Sequence, residues 1–173
     1  MRNNALVRRW LVQLLLGGMA LALSPHAQAQ DLPEYRLKAA FLYNFAVFTA
    51  WPDEPNRNLN LCIFGADNFG TDADSLNGKA VGEHKLVLHR KSTLESLKSC
   101  QIVFIAETAI SQLPKVLDAL RNQPVLTVAD TAGAMQQGVM LNMVVAQGRI
   151  TFQANLGAAR RAGLTLSSKL LRL

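Results

Sequence analysis

Gln101–Ala106, QIVFIA, decides the fold of this chain. Its apolar core, IVFIA, carries no alternating polar residue, so it reads as a strand covered on both faces, the signature of a parallel sheet inside an α/β layer structure. Working outward, Leu59–Phe64 (LNLCIF), Lys85–His89 (KLVLH) and Pro124–Ala129 (PVLTVA) read as further strands. Helical stretches lie between them: a polar segment running to Gly78, a short helix at Thr93–Leu97 capped by Ser92, and Ser111–Arg121. The last carries Leu113, Val116, Leu117 and Leu120 on one side. Alternation of strand and helix gives βαβ units. After one helical turn at Ala132–Gln136 the pattern changes. Val139–Val145 and Arg149–Ala154, joined at Ala146-Gln147-Gly148, form a hairpin that adds an antiparallel edge strand. Asn155 then caps a final helix through Leu171, interrupted by Gly157 and Gly163. The expected fold is a single α/β domain: a mostly parallel sheet flanked by helices, with a C-terminal antiparallel β-hairpin and a final helix.

Upstream of the strands, EYRLKAAFLYNFAVFTAWP (Glu34–Pro52) reads as a helix that starts with Asp31 as N-cap, continues to about Ala50 and is stopped by Trp51-Pro52. Leu37, Phe41, Phe45 and Phe48 share one face. Tyr43, Ala46 and Val47 carry the apolar character round the other side, as in a core helix or one that meets a partner.

The first 29 residues carry a different signal. Arg2, Arg8 and Arg9 precede the uncharged run Trp10–Leu23, and Ala27-Gln28-Ala29 ends the segment. This is the layout of a cleaved secretory leader, cut after Ala29. The apolar run of 14 residues is shorter than the roughly 20 a bilayer span needs. Cleavage leaves residues 30–173 as the domain and lowers the net charge from +6 to +3, because the leader holds three arginines and no acid. The basic character of the whole chain is thus partly an export signal, and there is no basic run interleaved with aromatics of the kind that binds nucleic acid.

Cys62 and Cys100 are the only cysteines. In an oxidising compartment an even pair reads as a disulfide, with two separate buried thiols as the alternative. No C-x-x-C pair exists and neither His84 nor His89 is near a cysteine in sequence, so no metal or cofactor is expected. Gly65–Gly70 (GADNFG) follows a strand but has neither dinucleotide nor P-loop spacing, and reads as a turn at the sheet's carboxyl end. Asp72 and Asp74 read as a solvated acidic turn. There is no G-x-S-x-G elbow, so no nucleophile is expected, and an enzyme using His84, His89 or Asp67 is the weakest reading. A small-ligand sensor using the loops after the parallel strands is the main alternative to a binding protein.

Tyr35–Pro52, Leu61–Gly65 (LCIFG), Cys100–Ile105 (CQIVFI), PVLTVAD at 124–130, the strand ending MLNMVV, and Arg149–Leu171 (RITFQANLGAARRAGLTLSSKLL) together resemble the YfiR family, in family order across nearly all of residues 34–171. The resemblance implies a periplasmic negative regulator without catalytic activity. Such a protein binds the periplasmic part of an inner-membrane diguanylate cyclase (YfiN-like) and restrains cyclic di-GMP synthesis. It can be sequestered by an OmpA-like outer-membrane lipoprotein (YfiB-like), and it tends to form a homodimer. It also implies a bridge between Cys62 and Cys100, while a second bridge found in some relatives has no cysteines here. Candidate partner-binding residues are Gln153, Asn155, Arg160 and Arg161, together with exposed parts of the first helix.

Overall fold

The computed structural model describes residues 34–52 and 58–173; the leader and the Asp31 cap lie outside them. A seven-stranded sheet has the order β3-β4-β2-β5-β6-β7-β8. Its strands are β2 (Asn58–Phe64), β3 (Ala80–Val81), β4 (His84–Lys91), β5 (Ile102–Ile105), β6 (Leu126–Ala129), β7 (Leu141–Ala146) and β8 (Arg149–Ala154). β4, β2, β5, β6 and β7 are parallel, and β3 and β8 are antiparallel edges. This is the mostly parallel α/β sheet with a C-terminal hairpin that the apolar runs predict.

Alternation along the central strands separates two cores. Leu61, Ile63, Ile102, Phe104, Leu126 and Val128 point to one face, with α1 (Glu34–Val47) and α5 (Leu156–Arg161) against them. Cys62, Phe64, Val103, Ile105 and Ala129 point to the other, under α3 (Leu113–Ala119) and the single turn α4 (Ala134–Gln137). The first face is built on aromatic rings. Phe152 of β8 meets Phe41 at 5.9 Å and Phe45 at 5.2 Å, and Phe69 meets Phe104 at 5.0 Å, all edge-on. Each such contact adds about 0.5–1.5 kcal/mol beyond its buried area. The second face is aliphatic apart from Phe64 and carries both cysteines.

The helices depart from expectation in identifiable ways. α1 stops at Val47, not Ala50; Thr49 turns its hydroxyl back to the Phe45 carbonyl (2.7 Å), and Thr49–Ala50 forms β1, paired with β9 (Thr165–Leu166). The buried face is Lys38, Ala39, Leu42, Phe45 and Ala46; Leu37 is exposed, and Phe41 and Phe48 are only partly buried. A helix apolar nearly all round gives periodicity little to discriminate. The expected helix Thr93–Leu97 is a 3-10 turn at Glu95–Ser99 with no side-chain cap from Ser92. The Ser111–Arg121 helix is a 3-10 segment at Glu107–Gln112 leading into the shorter α3. The four-residue α2 (Thr71–Asp74) is all that is helical before Gly78.

The largest difference is the C-terminus. Instead of a helix to Leu171, α5 ends at Arg161. Gly163, at φ +77°, donates to the Arg160 carbonyl, and Leu164 donates to that of Ala159. This pair of bonds is a Schellman stop. The chain then returns as β9 and closes with a 3-10 turn at Leu170–Arg172. The hairpin turn has Gln147 and Gly148 both at positive φ, +52° and +71°, the two-residue geometry that matches strand twist.

Candidate functional site

The four candidate partner residues lie on one continuous ribbon, β8 into α5, but do not converge. Gln153 is exposed on edge strand β8, opposite Asn142 of β7. Asn155 is half-buried and committed to structure: its Oδ1 accepts from Ala158 N–H (2.9 Å) as the helix cap and its own N–H donates to Met140. Arg160 and Arg161 are both exposed in the last turn of α5, where positive charge suits the helix carbonyl end. Neither joins a salt bridge among the described residues. They face different hollows. Arg160 sits beside Leu156, Leu164 and Leu166. Arg161 sits with Arg121, Leu117 and Met140 in a groove of about 340 Å³.

Cys62 and Cys100 are joined, with Cα atoms 6.0 Å apart and both residues fully buried. The bridge ties the middle of β2 to the residue two before β5, on the aliphatic face.

At the carboxyl end of the sheet, the charged groups pair with one another. Strand order reverses around β2, so a ligand crevice would be expected outside the carboxyl ends of β2 and β5. Gly65, at φ +99°, closes it: a Cβ there would stand 2.7 Å from Ala109 Cβ, and Thr108 donates to the Ala66 carbonyl (2.7 Å). Asp67 accepts from Phe69 N–H and from Arg90 Nε, while Arg90 also reaches Asp74 (2.8 Å) and the Gly70 carbonyl. Asp74, then burial, then Asp67 govern the Arg90 guanidinium, and the two carboxylates raise its pKa against the burial cost. Asp72 faces Arg36 at 3.6 Å. The acidic turn is therefore a set of salt bridges. His84 opens β4 and His89 lies five residues along it, and the two do not meet: His89 Nε2 contacts Asn60 Oδ1 at 3.2 Å.

One polar group went unread in the sequence. Lys38 lies within α1 with its amine buried, 2.6 Å from Asp130 Oδ2 and 2.5 Å from Glu34 Oε1, and over the Tyr35 ring. Burial disfavours the ammonium, but the hydrogen bonds and charges of Asp130 and Glu34 outweigh it and raise its pKa above the usual 10.5. The available signal was Glu34 four residues before Lys38, and an acid placed directly after the buried strand β6 in PVLTVAD. Beside this pair, Asn142 donates to the Thr131 carbonyl, while Asn142 Oδ1 and Thr131 Oγ1 are buried without protein partners.

A family model described as YfiR/HmsC-like matches residues 35–173. The chain belongs to the YfiR/HmsC-like family. A crystal structure of a conserved domain protein from Vibrio cholerae O1 biovar eltor str. N16961 shares the fold at a TM-score of 0.51 and 9% identity. The match covers 80% of this chain and 58% of that one, so the present chain spans little more than half of that relative's length. YfiR-like proteins form a regulatory family, not a catalytic one: periplasmic proteins acting in cyclic di-GMP signalling. A buried disulfide fits an oxidising compartment, and among the described residues no helix is long and apolar enough to cross a membrane.

Proposed function

We propose that this YfiR/HmsC-like protein is a periplasmic negative regulator that binds the periplasmic part of an inner-membrane diguanylate cyclase and restrains cyclic di-GMP synthesis. Family membership across the whole domain carries the reading. A protein that represses by binding alone must favour one conformation of its target. Moving a cyclase from mostly active to mostly inactive requires differential affinity of about 5.5 kcal/mol. The ribbon from Gln153 to Arg161 is a suitable contact surface: an edge strand with alternate side chains exposed, followed by two arginines without acidic partners among the described residues. Export with cleavage after Ala29, homodimerisation, and sequestration by an OmpA-like outer-membrane lipoprotein complete the proposal.

The test is binding of the purified protein to the periplasmic segment of the cognate cyclase. Arg160→Gln with Arg161→Gln is expected to weaken association by about tenfold or more, with only a small loss of thermal stability from the helix end. Unchanged affinity would remove this face from the interface, and no binding by the unaltered protein would remove the cyclase from the proposal.

A further inference from the structure

The two edges of the sheet differ. The β3 edge is covered: β3 has two residues, and beyond it Leu86 exchanges hydrogen bonds with Gly78 and Lys79, while Leu88 N–H donates to Asn77 Oδ1. Native sheets blunt their edges in this way, or with proline, bulges and charge. β8 has none of these devices along its length. It contains no proline, pairs with β7 without a bulge from Arg149 to Ala154, and is charged only at its first residue. The hairpin fixes which way its backbone points. Ala146 and Arg149 close the turn, and Asn155 N–H donates to the Met140 carbonyl. Bonded and non-bonded pairs alternate along an antiparallel ladder. Arg149, Thr151 and Gln153 therefore bond to β7, and Ile150, Phe152 and Ala154 turn their N–H and C=O groups to the open edge. Among the described residues no other backbone hydrogen bond takes these groups up. A hollow of about 420 Å³ lies against the same edge, lined by Phe152, Ala154 and Leu156 and by Leu171 and Leu173, both about half exposed.

We infer that a second copy of this chain docks on this edge by antiparallel β8–β8 pairing, joining two seven-stranded sheets into one. The strand is complementary to itself. With Phe152 opposite its own copy on the two-fold axis, Ile150 stands opposite Ala154, and every outward N–H meets an outward C=O. Sliding the strands either way from this register leaves outward groups unpaired. On the apolar face, Ile150 of the second copy brings a hydrocarbon side chain to the hollow beside Ala154. On the other face Thr151 stands opposite Gln153, and Arg149 opposite Asn155, so no like charges meet. Main-chain bonds supply affinity and alternate side chains supply the fit, as in strand addition generally. Such an isologous contact closes at two copies. The inference names the face of the homodimer proposed above and rests on that part of the reading; it makes no use of Arg160 or Arg161.

The first test needs no variant. Amide hydrogen exchange of the purified protein is read at residue resolution by mass spectrometry at about 1 μM and about 200 μM, either side of an expected Kd on the order of 10 μM. The amides of Ile150, Phe152 and Ala154 should exchange about fivefold more slowly at the higher concentration, with Thr151 and Gln153 protected at both. Sedimentation equilibrium then compares Thr151→Lys/Gln153→Lys with Thr151→Glu/Gln153→Glu, at positions whose side chains are exposed. Each variant alone sets like charges opposite one another and should dimerise about tenfold more weakly. An equal mixture of the two should regain the original affinity. Circular dichroism establishes that both are folded; should either fail, the exchange experiment decides. A protein that stays monomeric to about 1 mM would overturn the homodimer and this face together. A dimer whose outward β8 amides gain no protection, or whose variants associate unchanged, would overturn this face alone and leave the homodimer standing. A mixture that stays weak would overturn the pairing register.

Discussion

At the carboxyl end of the sheet, Lys38 with Asp130 and Arg90 with Asp67 and Asp74 pair their charges, and Gly65 lets the chain pack its own crevice shut. Ahead of β5 the tie is covalent, from Cys62 in the middle of β2 to Cys100 two residues before β5, buried on the aliphatic face. The first end is a closed electrostatic clasp. The second is a covalent brace in an aliphatic setting. In an open α/β sheet the carboxyl end is where a ligand site is expected; here Gly65 packing and the Arg90 salt bridges close it.

Perturbing each tie separately tests this contrast. The largest effect is expected from Lys38→Met, which leaves Asp130 buried without its cation. Loss of about 3–5 kcal/mol in urea denaturation is expected, and the double variant Lys38→Met/Asp130→Leu should recover much of it. Additive losses would show that the two groups do not act as a pair. Replacing both cysteines by serine should cost about 2–4 kcal/mol, the range for a bridge closing a loop of this length. At this size that lowers Tm by on the order of 10 °C. A loss below about 1 kcal/mol would show that the bridge does not brace the fold.

High pH tests the Lys38 tie in a second way. The folded pKa of Lys38 is raised, so its contribution is complete below pH 10.5 and is lost as pH rises through the folded value. The wild-type advantage over Lys38→Met should therefore hold from neutral pH to about 10 and shrink above it, measured as the difference in urea midpoint; a constant difference to pH 12 would contradict the assignment. Arg90→Met should have the smallest effect, about 1 kcal/mol or less, because its side chain is 45% exposed. A loss as large as that of Lys38→Met would mean that the acidic turn, not the buried pair, holds the clasp together.

The contrast also separates what was legible in the sequence from what was not. Continuous apolar runs located β2, β5 and β6, because strands buried on both faces need no alternation. The hairpin was legible from Gln147-Gly148, and the disulfide from an even cysteine pair behind a leader-like segment. The C-terminal helix was over-read. LSSKLL has helical spacing, but Gly163 ends α5 and pairing with β1 competes for Thr165–Leu166, a tertiary term no local pattern carries. Lys38 and Asp130 are 92 residues apart, so the pair had no local signature beyond the Glu34–Lys38 spacing. Of the partner residues, Asn155 was legible as a cap, while the divergence of Arg160 and Arg161 depends on how α5 packs.

The account stands or falls on regulation, and the most direct measurement is cellular cyclic di-GMP in a deletion strain beside wild type and a strain complemented with the intact gene. The account predicts a rise on deletion that the intact gene reverses. An unchanged level, in cells shown to express the protein, would contradict it.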